Sequence, residues 1–457
     1  MALRQTYHPG GTSRPQRRPR GRWRTRVVGS AACVVLVVAG CSSESDSSSR
    51  SSSGSPQTTP TTIGSPPTQS ALKTIDGAAF TAVVEHAAQE LLVPGAVVVL
   101  RTPQGTFDTS VGTTELGTQT KPDVNTHFRI ASNTKTMTAA LVVLLAQDGK
   151  LMLSDPVSTY VPNVPNGNNI TIADLLKMRS GLYNYTSSPD LAAAMDTDPK
   201  KAWTPQEVLA IAFAQPAQFP PGTDYEYCNT NYALLGLVAE KAGGAPLARQ
   251  FQDRLFGPLG LTQTSLPAPD DTAIPAPYSH GYMYGGSSYA LVDDDYPADM
   301  QAAARAGTLK PIDYTNQNPS YATAAGGAIS TAGDLATWIR DLVSGKVFDA
   351  ASQQHWLTSR QAEDPGQPEG QQYGYGISYQ RFGPNAAMYY HGGELPGFNS
   401  FIGYDKDNDV TLVIWTNLTL SPEGKTTAQA LLPTVLDEIY TGLSLAPPPS
   451  PTTTTTR

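Results

Sequence analysis

Apolar residues recur along this chain with two periods, and the order in which the periods alternate lays out the fold. Residues 78–92 carry a stripe at helical spacing, 95–101 is a nearly unbroken valine run that reads as a strand, and a second strand follows near 107–111. From 132 to about 345 the helical period dominates, over 134–147, 172–178, 205–213, 231–241, 246–256 and 330–343. Strand patterns return at 375–382, 387–391, 400–404 and 410–416, and a last helix spans 427–440. Strands at both ends with helices between them predict an α+β protein, an antiparallel sheet assembled from both termini and flanked by helices, with a mainly helical lobe inserted. The folded span 73–445 exceeds the ~250–300 residues at which single cores tend to split, which also favours two lobes. Residues 266–321, rich in Pro, Gly, Tyr and Asp, show neither period; a wall over the site and a surface excursion fit equally well. No internal repeat is visible.

The ends are of another kind. Residues 1–26 hold eight arginines and no acid, and the apolar run from Val27 to Ala39 closes on Val38-Ala39-Gly40-Cys41. That run is shorter than the ~20 residues a spanning helix needs. Residues 1–40 therefore read as a leader ending in a lipobox, with Cys41 acylated and the protein lipid-anchored to the outer face of the cell membrane. Residues 41–72, mostly Ser, Thr, Pro and Gly, form a disordered tether with a root-mean-square reach of ~30 Å. Its field is the inner cell wall. Residues 446–457 read as a disordered tail. With Cys33 discarded and Cys41 lipidated, Cys228 stands alone, so the mature chain has no internal disulfide. Removing the leader leaves 23 bases against 39 acids, a net charge near −16, which argues against nucleic-acid partners.

Chemistry gathers at three places. Ser132-Asn133-Thr134-Lys135 opens the apolar helix, where positions i and i+3 share a face and bring Lys135 beside the Ser132 hydroxyl. The helix dipole there favours developing negative charge. Pro220-Pro221-Gly222 leads through Tyr225 and Tyr227-Cys228-Asn229 into another helix, and His391-Gly392-Gly393 ends a strand. Each motif alone is cheap. Decoys occur at Ser70-Ala71-Leu72-Lys73, Tyr314-Thr315-Asn316 and His8-Pro9-Gly10, and a serine cap with a surface lysine is the bland alternative.

Together with Phe128-Arg129-Ile130-Ala131, Leu175-Leu176-Lys177-Met178-Arg179-Ser180-Gly181-Leu182, Pro258-Leu259-Gly260-Leu261 and Gly326-Gly327-Ala328-Ile329-Ser330-Thr331, the motifs over residues 76–443 resemble the serine β-lactamase and penicillin-binding superfamily. The likeness is strongest to class C β-lactamases, D-alanyl-D-alanine carboxypeptidases and related esterases. The resemblance implies a sheet covered by helices, a helical lobe and a cleft between them. In it Ser132 would attack a carbonyl, Lys135 and Tyr227 would shuttle its proton, and Asn229 would bind the substrate amide. His391 would replace the lysine of Lys-Thr-Gly on a substrate-binding strand with Gly393, and the N–H groups of Ser132 and Glu394 would form the oxyanion hole. Neutral Lys135 near pH 7 costs ~4.6 kcal/mol against its reference and a Tyr227 phenolate ~4 kcal/mol, so the base stays open.

The sequence departs from the pattern at Met178-Arg179-Ser180-Gly181, which reads as a structural turn, and at His391, neutral above ~pH 6.5 where a fixed cation would meet a β-lactam carboxylate. Cys228 reads as a small core residue, with a redox-sensitive thiol facing the cleft as the alternative. Asp405-Lys406-Asp407-Asn408-Asp409 starts like a calcium loop but lacks its glycine and closing glutamate, so it reads as a polar turn; no cofactor or metal is expected. The expected substrates are small peptides, amides or esters. First among them are D-alanyl-D-alanine wall peptides, then esters or D-amino-acid amides with slow β-lactam hydrolysis, while a non-catalytic penicillin-binding sensor is the rival of another class. Cys41 should incorporate radiolabelled palmitate in cells, and an unlabelled mature protein would refute the anchor.

Overall fold

A computed structural model describes residues 71–443. The expected leader 1–40, Cys41, most of the tether and the tail 446–457 lie outside the described residues. Leu72, assigned to the tether by composition, instead bridges to Tyr440, and the Lys73 N–H donates to the Ile439 carbonyl at 2.8 Å. The two ends of the body are thus stitched together.

Eight strands, β1 (Gly95–Thr102), β2 (Gly105–Gly112), β3 (Gln361–Ala362), β4 (Gln372–Tyr373), β5 (Ser378–Gly383), β6 (Ala386–Leu395), β7 (Phe398–Asp405) and β8 (Val410–Thr416), build one antiparallel sheet. The order is β2-β1-β8-β7-β6-β5-β4-β3, with Val97 of β1 opposite Trp415 of β8, so strands from opposite ends of the chain lie side by side. Five helices frame it: α1 (Gly77–Glu90), α2 (Thr134–Gln147), α3 (Asn229–Gly243), α4 (Ala332–Ser344) and α5 (Thr427–Ile439). On one face Ala96, Val98, Leu100, Leu412 and Ile414 pack against Phe80 and Val84 of α1 and Leu431 and Val435 of α5. On the other, Val97, Val99, Val413 and Trp415 join α2, α4 and the helical lobe in the larger core. Because both faces are covered, β1 reads as a continuous valine run rather than an alternating one.

Helix α2 is buried all round from Thr134 to Leu145, which explains its lack of a polar stripe. It runs through the molecule between the sheet side and α3, and every functional element is placed against its first turn.

Several boundaries move for local reasons. The helix expected over 330–343 starts at Ala332, because Thr331 caps it and Ile329–Ser330 pairs with Phe128–Arg129 in a small second sheet. The helix expected from 231 begins at Asn229, with extended Cys228 as its cap residue, so Asn229 belongs to its first turn. The strand expected over 387–391 runs on to Leu395. The segment 266–321 folds into a short hairpin, Tyr282–Met283 with Ile312–Asp313, and helices Ser288–Leu291 and Ala298–Arg305. It is a wall of the cleft, because Ala290 through Asp293 face Ser132 across a cavity. The turn at Asp405 joins β7 to β8, its Oδ1 accepting the N–H groups of Asp407 and Asn408 at 3.0 and 3.2 Å.

One close approach fixes the geometry of the cleft. β6 runs so near the turn before α2 that a Cβ on Gly393 would stand 2.4 Å from the Ile130 carbonyl oxygen and 2.5 Å from Ser400 Oγ. Asn133 bolts the same turn down, donating from Nδ2 to the Ile130 carbonyl at 3.1 Å and to Ser400 Oγ at 2.8 Å. Gly393→Ala should therefore push β6 off the turn, lowering the denaturation midpoint by an amount equivalent to ~1–3 kcal/mol and abolishing acylation of Ser132. A variant as stable and as readily acylated as wild type would show that the contact is slack.

Candidate active site

Ser132 sits in a 3-10 turn, Ala131–Asn133, immediately before α2, with 9% of its surface exposed. Ala131 holds φ at +51°, a left-handed conformation that costs an alanine ~1–2 kcal/mol and aims the next side chain out of the core. One helical turn on, Lys135 is fully buried. Its Nζ lies 2.9 Å from Ser132 Oγ, 2.7 Å from Asn229 Oδ1 and 2.7 Å from the Ala325 carbonyl oxygen.

Those three partners suit both protonation states. Asn229 Oδ1 and the Ala325 carbonyl can only accept, so a neutral amine satisfies them with its two hydrogens and offers its lone pair to the Ser132 hydroxyl. An ammonium satisfies all three by donating. A proton can thus pass from Ser132 to Lys135 without movement of heavy atoms. Burial drives the amine's pKa well below its ordinary value, with only the Cys228 thiol opposing.

Tyr227 closes the other side of Ser132. Lys135 Nζ stands 4.9 Å from the centroid of its ring, and burial raises the phenol strongly, while its hydrogen bond with Ser132 pulls the other way. Sequence left Lys135 and Tyr227 balanced as bases; burial moves both toward their neutral forms and so favours the amine. Asn229 is held by Thr186, which accepts from Nδ2 at 2.9 Å, and by Asn184, whose Oδ1 accepts the Asn229 N–H at 3.0 Å.

His391 is buried on β6 with Nδ1 2.6 Å from the Gly392 carbonyl oxygen, which makes Nδ1 the protonated nitrogen. Nε2 then accepts from the Tyr373 hydroxyl at 3.1 Å. Burial, and secondarily Lys135, drive its pKa down to about 3. The imidazole expected to lose its charge above ~pH 6.5 is therefore neutral throughout the working range. Glu394 lies at the lip of the cleft, and burial first, then Asp293, lift its carboxyl well above the usual range. β5 pairs with β6 only as far as Tyr390, opposite Ser378, so β6 from His391 to Leu395 has β7 on one side and, among the described residues, no strand on the other. An extended substrate can lie along that edge.

The cavity over Ser132 measures about 320 Å³ and is bounded by Asn184, Thr186, Glu226, Tyr227, Asn229 and Glu394 among others. Ser132, Lys135, Tyr227, Asn229, His391, Gly393 and Glu394, drawn from three separate stretches, are thus brought together. Sequence reasoning missed Thr186, Asn184, Tyr373 and the Ala325 carbonyl. A backbone carbonyl carries no side-chain signature, and the other three lie outside the three motifs. Two bland readings hold. Cys228 is 2% exposed, its thiol donates to the Leu182 carbonyl at 3.3 Å, and burial pushes it up to about 11, leaving an inert core residue. In the Met178–Gly181 turn, Ser180 Oγ donates to Asn231 Oδ1 at 2.5 Å, and a Cβ on Gly181 would meet the Phe219 carbonyl oxygen at 1.9 Å, so the turn is structural.

Comparison with known proteins identifies the family. The Beta-lactamase family pattern matches residues 80–435. The putative penicillin-binding protein PbpX of Bacillus subtilis (strain 168) is 25% identical over 293 residues, covering 64% of this chain and 62% of that protein. The chain thus spans less than two thirds of that curated relative. Among solved structures, a D-stereospecific amidohydrolase from Streptomyces sp. is 28% identical with a TM-score of 0.67, over 80% of this chain and 99% of that one. The D-amino acid amidase of Ochrobactrum anthropi SV3, complexed with L-phenylalanine amide, is 25% identical with a TM-score of 0.65, over 79% and 97%. The fold, the serine-hydrolase chemistry and the match over most of its length agree: this chain belongs to the Beta-lactamase family.

Proposed function

We propose that this protein is an extracytoplasmic serine amidase, tethered through Cys41, that cleaves small amino-acid amides or peptides bearing a free ammonium through an acyl-enzyme on Ser132. In that reading neutral Lys135 takes the Ser132 proton as Oγ bonds to the substrate carbonyl carbon. The N–H groups of Ser132 and Glu394 stabilise the oxyanion, and the amine leaves with a proton relayed by Tyr227. Water then attacks the ester by the same relay in reverse. The preference for D-configuration rests on the two amidohydrolase neighbours.

One observation carries the choice of substrate. Glu226, Asp293 and Glu394 line the cleft, no Lys or Arg does among the described residues, and His391 is neutral. The terminal carboxylate of a D-alanyl-D-alanine peptide, or the carboxylate of a penicillin, would find no cation there but the buried Lys135. An ammonium finds carboxyls. This favours the amidase over the carboxypeptidase reading and over a penicillin sensor.

Substitution of Ser132 by Ala should lower kcat ~10⁶-fold. Lys135→Ala and Tyr227→Phe should each lower it ~10²–10⁴-fold on an activated ester, and wild-type rates in all three would end the assignment. Because the Lys135 pKa is depressed and its base form is required, kcat/KM on a neutral ester should rise as pH rises through that depressed value and then stay level. His391→Gln should not shift the rise, whereas a limb that moves with His391 would transfer the base role.

D-phenylalaninamide should be hydrolysed, and acetylating its amine should lower kcat/KM ~10-fold or more, each tenfold being ~1.4 kcal/mol. Release of D-alanine from an acetylated D-alanyl-D-alanine peptide at a higher kcat/KM than the amide would restore the carboxypeptidase.

A further inference from the structure

The cleft does not end at Ser132. A second cavity, about 890 Å³, continues past β6 on the α5 side of the sheet, and Tyr227, Asp293 and Glu394 border both spaces. It lies beside α5, which packs on β7 and β8 and lends Leu432, Pro433 and Leu436 to the cavity wall. Phe382 and Tyr390 are only half-buried.

Its walls have a definite chemistry. Phe382, Tyr390 and Phe401 form an aromatic shelf, with ring centroids 5.9 Å apart between the first two and 5.3 Å between the last two. Leu432, Pro433 and Leu436 of α5 extend the apolar floor, and Tyr289 with Tyr296 stands on the outer rim. Within this floor Gln429 gives Nε2 to the Ser400 carbonyl at 3.3 Å, while its buried Oε1 accepts no hydrogen bond among the described residues. The mouth carries Asp293, Asp294 and Glu394, together with Glu423, which accepts from Arg305 Nε at 2.9 Å. Among the described residues no Lys or Arg lines it. The volume suits a group of drug-like size.

The boundary between the cavities says which part of a substrate belongs where. Ser132 and Asn229 border only the first space, His391 and Gly392 only the second, and Tyr227 stands between them. Tyr227, in the mechanism above, hands its proton to the departing amine, so that amine must lie on the far side of the phenol from the acyl group. We infer that the second cavity is the leaving-group subsite and takes an apolar or aromatic amine, its nitrogen toward the acidic mouth and its hydrocarbon on the Phe382–Tyr390–Phe401 shelf. The assignment of sides rests on the proposed acyl-transfer mechanism; the existence of a site for such an amine does not.

The test is therefore made by binding, free of turnover, with the full chain and 4-phenylbutylamine as probe of the departing product. Calorimetry should show saturable binding to wild type and equally to Ser132→Ala. The carboxylate of the same shape, 4-phenylbutyrate, should bind at least ~10-fold more weakly, a difference of ~1.4 kcal/mol. Leu432→Trp, which fills the floor, and Phe382→Ala, which removes the shelf from a half-exposed position, should each weaken the amine ~10-fold or more while circular dichroism stays unchanged. No binding of the amine, equal binding of the carboxylate, or indifference to Phe382→Ala would overturn the site. Binding as expected without hydrolysis of any D-phenylalanine alkylamide would leave the site standing and overturn the amidase reading.

Discussion

Everything in the cleft depends on burying one amine. Lys135 has none of its surface exposed, yet among the described residues it has no carboxylate partner; its three hydrogen-bond contacts are a hydroxyl, an amide oxygen and a peptide carbonyl. A cation so placed would be costly, and burial favours the neutral amine, the form a general base needs. The three contacts come from the 3-10 turn before α2, the first turn of α3 and the backbone beside Gly326, so the amine is also where the helical lobe and the sheet side meet. Stability and reactivity are set by the same atom.

The architecture around that atom follows from it. An amine can be dehydrated this thoroughly only on a helix buried on every side, and α2 is such a helix. A serine can stand beside it and still reach a substrate only if the chain turns sharply just before, which Ala131 achieves at φ +51°. β6 can close over the turn only if position 393 has no side chain. The polar bolts, Asn133 to Ser400 and Asn229 to Thr186, hold the pieces at hydrogen-bond distance without adding charge near Lys135.

Much of this was legible from residue order. The valine run of β1, the apolar α2 and the late strands have strong periods; the Ser132 motif opens α2 and the Tyr227 motif leads into α3, whereas the His391 motif, expected to end a strand, lies within β6. What sequence could not supply was depth. The difference between Lys135 and Tyr227 as base turned on how completely each is dehydrated, a property of packing by distant segments such as Thr323–Gly326. The neutrality of His391 was half legible: the residue type was plain, but its descent to about 3 depends on burial and on Lys135. For residues 266–321 sequence left a wall and a surface excursion equally open, because their short elements follow turn chemistry rather than either period.

The choice of substrate is tied to the same burial. With Lys135, Tyr227 and His391 pushed toward their neutral forms and Glu394 raised toward its protonated form, the resting cleft holds little charge beside the nucleophile. In the proposed reading a substrate ammonium meeting these carboxyls would favour the ionised form of Glu394, so its charge would be compensated at the cleft wall. A substrate carboxylate would act in the opposite sense. It would keep Glu394 protonated and raise the Lys135 pKa, replenishing the ammonium form that cannot accept the Ser132 proton. Among the described residues the cleft wall carries no Lys or Arg, so in the proposed reading an anionic substrate would press Lys135 toward its charged form while a cationic one would not.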